Sequence, residues 1–134
     1  PLRRCAELAA SLADALGNVS PVFDARLAEM HFGNWELRAW DAIPRSEIDA
    51  WANDPVAYRP GDGENVMQMA QRVRAFRDEL LALQQDCIVI CHAGPIRLLL
   101  ACQHGESLLE MALHAAQTRH HIAYGEMIIL DFFT

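Results

Sequence analysis

A short apolar run, Cys87 to Cys91, ends on His92, and Ala93-Gly94-Pro95 opens a new element. Histidine changes charge near neutral pH, so at such a junction it can donate hydrogen bonds to an anion or move a proton. Gly94 lets the backbone turn and come close to a ligand. Pro95 suits the first turn of a helix, whose free N–H groups and positive end favour phosphate. His92, Ala93 and Gly94 therefore outline an anion-binding turn. A second reading stays open at this point: a strand-terminal histidine that only caps backbone groups.

Two other places carry chemistry. Arg3 and Arg4 lie near the start of the first predicted helix, so one should face inward beside Leu2 and Cys5 and the other outward. An inward arginine can grip phosphate with its fork of donors; the alternative is a solvated basic pair. Glu29 sits among apolar and aromatic residues in LAEMHFGNWELR, residues 27–38. A carboxylic acid so placed can have a raised pKa and donate a proton; the alternative is a surface glutamate on an edge strand.

The elements that must position these groups follow from periodicity. Leu2, Cys5, Ala9, Leu12 and Leu16 form one helical stripe, with Gly17 as its stop. Residues 21–29 read as extended, and 30–45 as a loop with short helical pieces. Ser46 with Asp49 resembles a capping box for a short helix through Trp51. Residues 54–65, rich in Gly and Pro, form a loop. Val66, Met69, Val73, Phe76, Leu80 and Leu83 predict a helix over 66–83. Residues 87–91 predict a strand buried on both faces. A helix from Pro95 to about Cys102 is stopped by Gly105, and a Ser107/Glu110 capping box opens another through about Ala116. Residues 126–133 give a last strand. Helices alternating with buried strands predict an α/β class with a largely parallel sheet, in a single domain over 1–134.

Composition narrows the function classes. The chain has 134 residues, 52% hydrophobic and 22% charged, and a net charge of −7. The acidic balance argues against a nucleic-acid surface, though not against a small anion held locally. No apolar run approaches the ~20 residues of a membrane span. The four cysteines, Cys5, Cys87, Cys91 and Cys102, lack CxxC spacing and read as buried small hydrophobes. A cytoplasmic protein without disulfides is expected. No HExxH or Cys/His spacing suggests a metal, and no glycine fingerprint suggests a nucleotide.

The order of these pieces resembles the histidine phosphatase superfamily, also called phosphoglycerate mutase-like. Basic PLRRC comes first, then Glu29 in LAEMHFGNWE, then PGDGEN before a helix, then VICHAGPIR, and IAYGEMIILDF closes the chain. The resemblance implies a three-layer α/β/α domain with a mostly parallel sheet and no metal or organic cofactor. It implies a phosphomonoester substrate, with Arg4 and His92 stabilising negative charge and Glu29 protonating the leaving oxygen. Gly63 and Glu64 match the family's GES-type turn at the substrate rim, with Asn65 in place of the usual serine. FGNWELR, Trp40 and AWANDP are similar to alpha-ribazole phosphatases, which remove a phosphate in assembly of the cobalamin lower ligand. A phosphatase fits better than a phosphoglycerate mutase.

The family's nucleophilic histidine lies in an Arg-His-Gly motif, and none occurs here. His31, His104, His114, His120 and His121 do not follow a buried strand with an adjacent arginine and glycine. The resemblance therefore implies a domain that lacks its first strand and helix and is inactive as given. The alternatives are a non-catalytic phosphate-binding module and an interaction protein. Unpaired sheet edges predict a homodimer. Expected partners are a phosphorylated small molecule or inorganic phosphate, with no nucleic acid and no membrane.

Overall fold

The computed structural model describes residues 2–17, 19–104, 107–119 and 121–132. Five α-helices follow in order: α1 Arg3–Leu16, α2 Arg45–Asn53, α3 Val66–Ala82, α4 Ala93–Ala101 and α5 Leu108–Gln117. Single 3₁₀ turns at Ala25–Leu27, Gly33–Trp35, Trp40–Ala42, Pro60–Asp62 and Cys102–His104 punctuate the connections. No helix among the described residues is long and apolar enough to cross a membrane.

The core lies where α3, α4 and α5 meet. Met69, Ala70 and Val73 face Leu98, Leu99 and Ala101, and Met111, Ala112 and Ala115 close the third side. Small alanines between longer side chains let the three helices approach closely. α3 starts at a reciprocal cap: Asn65 Oδ1 accepts from Gln68 N–H at 2.8 Å, and Gln68 Oε1 accepts from Asn65 N–H at 3.0 Å. α5 opens the same way on Ser107 and Glu110, as its sequence predicts. α1 stops at Gly17, which has φ 68°, and contributes one buried residue, Ala13. Its predicted stripe is only partly inward, since Leu2 and Leu16 are exposed.

Several expectations need correction. No β-strand occurs among the described residues, so the mostly parallel sheet of an α/β/α domain is absent there. Residues 87–91 and 126–132 are apolar and without helix, but they form no ladder. A strand needs backbone partners as well as apolar side chains. Residues 126–132 instead lay one side on the helices: Leu130 and Phe132 pack against the core, while Met127 and Ile129 are 83% and 82% exposed. Residues 87–91 are not buried on both faces, because Cys87 and Ile88 lie in solvent. Only Cys102 among the cysteines is buried. The Ser46/Asp49 box does not form. Pro44 is the N-cap, Ser46 therefore falls inside the first turn, and Asp49 accepts from Arg45 Nε at 2.9 Å. Gly105 and Phe133 lie outside the described residues, as does His120.

Candidate functional site

α4 begins where the 87–91 segment ends, and His92 is its N-cap residue. The imidazole is 7% exposed, the one buried polar side chain among the described residues. Its side chain caps no helix N–H. It turns to α1, where Arg4 Nε donates to Nδ1 at 3.2 Å. The paired arginines do not divide into an inward and an outward one: both are exposed, as is Leu2, and they differ in partner, Arg4 reaching His92 and Arg3 pairing with Glu7 at 2.6 Å. The Cys5 thiol lies on the same ring, with Sγ 3.4 Å from Nε2 and 3.5 Å from the Cys91 carbonyl. Burial, and after it the Arg4 guanidinium, hold the His92 pKa below the ordinary 6.5, with Glu29 opposing. Because Nδ1 accepts from Arg4, the proton of the neutral ring belongs on Nε2. Burial pushes the Cys91 thiol up to about 12, with Cys5 and Glu29 adding to it.

Glu29 comes to the same junction from the other side. Its Oε2 accepts the Gly94 N–H at 3.2 Å, and Oε1 accepts its neighbour Met30's N–H at 2.9 Å. The carboxylate thus takes up one of the free N–H groups that open α4, where negative charge is favoured. Gly94 is needed for this approach, since a Cβ there would overlap Glu29 Oε1. The glycine admits the chain's own carboxylate. Ala93 is exposed at the first position of α4.

Arg72 of α3, which the sequence reading passes over, anchors Glu29. Its Nε and one terminal nitrogen grip the Glu64 carboxylate at 2.6 and 2.8 Å. The same guanidinium donates to the carbonyls of Arg26 at 2.6 Å, Ala28 at 2.8 Å and Glu29 at 3.4 Å. A signal for it exists: position 72 lies three after Met69 and four before Phe76, on the flank of the apolar stripe, where a charge requires a partner. Glu64 therefore serves Arg72, and its backbone N–H also donates to the His31 carbonyl at 2.7 Å. Gly63 is a packing position. A Cβ on it would overlap the His31 carbonyl, and one on Gly61, at φ 59°, would overlap that of Phe32. The 31–33 and 60–63 turns meet backbone to backbone, which only glycines permit.

An open groove of about 500 Å³ runs from Glu29 between these turns and α3. His31, Arg59, Asp62, Gln68 and Arg72 line it, whereas His92 and Arg4 do not. The site residues thus form two adjoining parts. Arg4 and His92 sit at the α1/α4 junction, and Glu29 stands between them and the polar groove. No group of three His, Cys, Asp or Glu side chains among the described residues could hold a metal ion.

A family model described as histidine phosphatase superfamily (branch 1) matches residues 1–133. The chain is 35% identical over 80 residues to the adenosylcobalamin/alpha-ribazole phosphatase of Escherichia coli (strain K12), covering 56% of the chain and 39% of that protein. It is 27% identical over 112 residues to a Hydrogenobacter thermophilus protein named as a phosphoserine phosphatase, covering 81% and 55%. It is 30% identical over 117 residues to the glucosyl-3-phosphoglycerate phosphatase of Mycolicibacterium vanbaalenii, covering 78% and 51%. The chain spans about half the length of the curated relatives it matches. No solved structure matches it significantly.

Proposed function

The chain belongs to the histidine phosphatase superfamily, and from that premise we propose that the α1/α4 junction binds the phosphoryl group of a phosphomonoester. One observation carries this reading: the Arg4 guanidinium and the buried His92 ring meet at 3.2 Å beside the N-terminus of α4. Arginine, an imidazole Nε2–H and helix N–H groups are the donors that charge developing on phosphoryl oxygens requires. In this reading Glu29, once its carboxylate has released the Gly94 N–H and taken a proton from solvent, passes that proton to the leaving oxygen. No Arg-His-Gly occurs in the sequence, so this chain supplies the binding and charge-stabilising half of the site, without the nucleophile. It is expected to hold phosphate without turning an ester over.

For the whole protein we propose phosphomonoester hydrolysis, with an alpha-ribazole phosphate as substrate. The FGNWELR segment and the likeness to the Escherichia coli protein support that choice.

Calorimetric titration with inorganic phosphate, beside hydrolysis of an aryl phosphate, tests the reading. Binding that weakens about tenfold or more in Arg4→Ala, with no turnover above a His92→Ala control, is expected, because hydrogen bonds to charged groups are worth about 1.5–3 kcal/mol. Phosphate binding indifferent to Arg4 would remove the site. Turnover abolished by His92→Ala would show that a nucleophile is present.

A further inference from the structure

The groove beyond Glu29 offers groups that the fold does not use. His31 Nδ1 accepts from Gly33 N–H at 3.1 Å, which leaves the neutral ring's proton on Nε2 as a free donor. Arg59 spends Nε on the Gly63 carbonyl at 2.6 Å and one terminal nitrogen on the Asp62 carbonyl at 3.0 Å, leaving its other terminal nitrogen open. Gln68 uses its oxygen in the α3 cap, so its amide NH₂ is free. The Asp62 carboxylate has no partner among the described residues, while Glu64 is consumed by Arg72. Donors and an acceptor are thus interspersed along a polar groove that starts at the acid.

Resting on the phosphate-site reading above, we propose that this groove receives the alcohol part of the phosphomonoester and selects a sugar-like alcohol bearing several hydroxyls. A hydroxyl both donates and accepts, so a polyol can satisfy Asp62 while accepting from His31, Arg59 and Gln68. An aryl group offers these exposed side chains no hydrogen-bond partner and forfeits the bonds a polyol makes. The open groove, about 500 Å³, has room for an alcohol larger than a serine side chain.

The test is a set of titrations of this chain with inorganic phosphate, ribose 5-phosphate, phenyl phosphate and O-phosphoserine. Ribose 5-phosphate is expected to bind about tenfold more tightly than phenyl phosphate, the yield of one or two added hydrogen bonds. Two variants locate the preference. Asp62→Asn keeps a residue that tolerates the φ of 59° at this position. Gln68→Glu keeps the oxygen that caps α3 and removes the free donor. Each should lower the ratio of ribose 5-phosphate to inorganic phosphate binding about fivefold. A general charge effect would move the two variants in opposite directions, because one removes a negative charge and the other adds one. No binding of inorganic phosphate would overturn the phosphate-site reading and this one with it. Phosphate binding with phenyl phosphate or phosphoserine equal to ribose 5-phosphate, or a ratio unmoved in both variants, would overturn the groove assignment alone.

Discussion

Replacing Arg72 tests whether one side chain holds Glu29 and the turn around it in place. The Arg72 and Glu64 side chains are 20% and 17% exposed, so the pair is mostly removed from water. Exposed ion pairs are worth about 1 kcal/mol or less, whereas breaking a buried pair costs about 3–5 kcal/mol because one charge is stranded. Arg72→Ala also leaves the carbonyls of Arg26 and Ala28 without their donor. The expected loss is about 2–4 kcal/mol, between those limits. Arg72→Lys keeps the charge but cannot reproduce a two-toothed grip plus three carbonyl bonds, and should lose about 1–2 kcal/mol. Urea unfolding at constant m reads both values, and the lysine variant remains measurable if the alanine variant unfolds. The stranded charge makes a sharper claim: Arg72→Met with Glu64→Leu should be more stable than Arg72→Met alone. The Gly94 amide resonance should shift in Arg72→Lys, since Glu29 loses the anchor of its carbonyl. A loss below about 1 kcal/mol for Arg72→Ala, or strict additivity in the double variant, would refute the reasoning.

Three further outcomes follow from the same geometry. Gly61→Ala places a Cβ against the Phe32 carbonyl and 2.7 Å from Trp35 N at φ 59°, so the two turns must part; thermal unfolding should fall markedly, and an unchanged midpoint would deny the backbone-to-backbone packing. His92, facing Arg4, Glu29 and Cys5, has a folded pKa below its ordinary 6.5, so the unfolded chain takes up the proton first. Stability contributed by the neutral ring is complete above pH 6.5 and is lost as pH falls from there through the lowered folded value, by at most about 1.4 kcal/mol per pH unit; His92→Gln should flatten that arm in urea titrations, and an unchanged slope would contradict the burial of the ring. Ile88 at 70% exposure, with Met127 and Ile129, lies on extended segments that have no ladder partner among the described residues. Such segments recruit other chains, so sedimentation across the micromolar range should show dimers, and a uniform monomer would count against it.

What the sequence makes legible here is what local chemistry decides. α3 and α5 are readable because apolar period and cap lie within a few residues of each other, although the Asn65/Gln68 cap is hidden behind the likeness of Gly63 and Glu64 to a rim turn. The start of α4 is readable because His92, Gly94 and Pro95 each have a positional meaning. The sheet is not, because β-branched apolar residues at 88–90 specify an extended chain with no ladder partner of their own; that partner must come from elsewhere in space. Gly94 is expected to bring the backbone close to a ligand, and in the structure the group that comes close is the Glu29 carboxylate; at Gly63 it is the His31 carbonyl. A glycine in a sequence announces a close approach without saying what approaches. Here the approaching group at α4 is an anion of the chain's own, held by Arg72 in a seat suited to negative charge. On the reading proposed above, a phosphoryl group arriving beside His92 would compete with Glu29 for the Gly94 N–H that the carboxylate now holds.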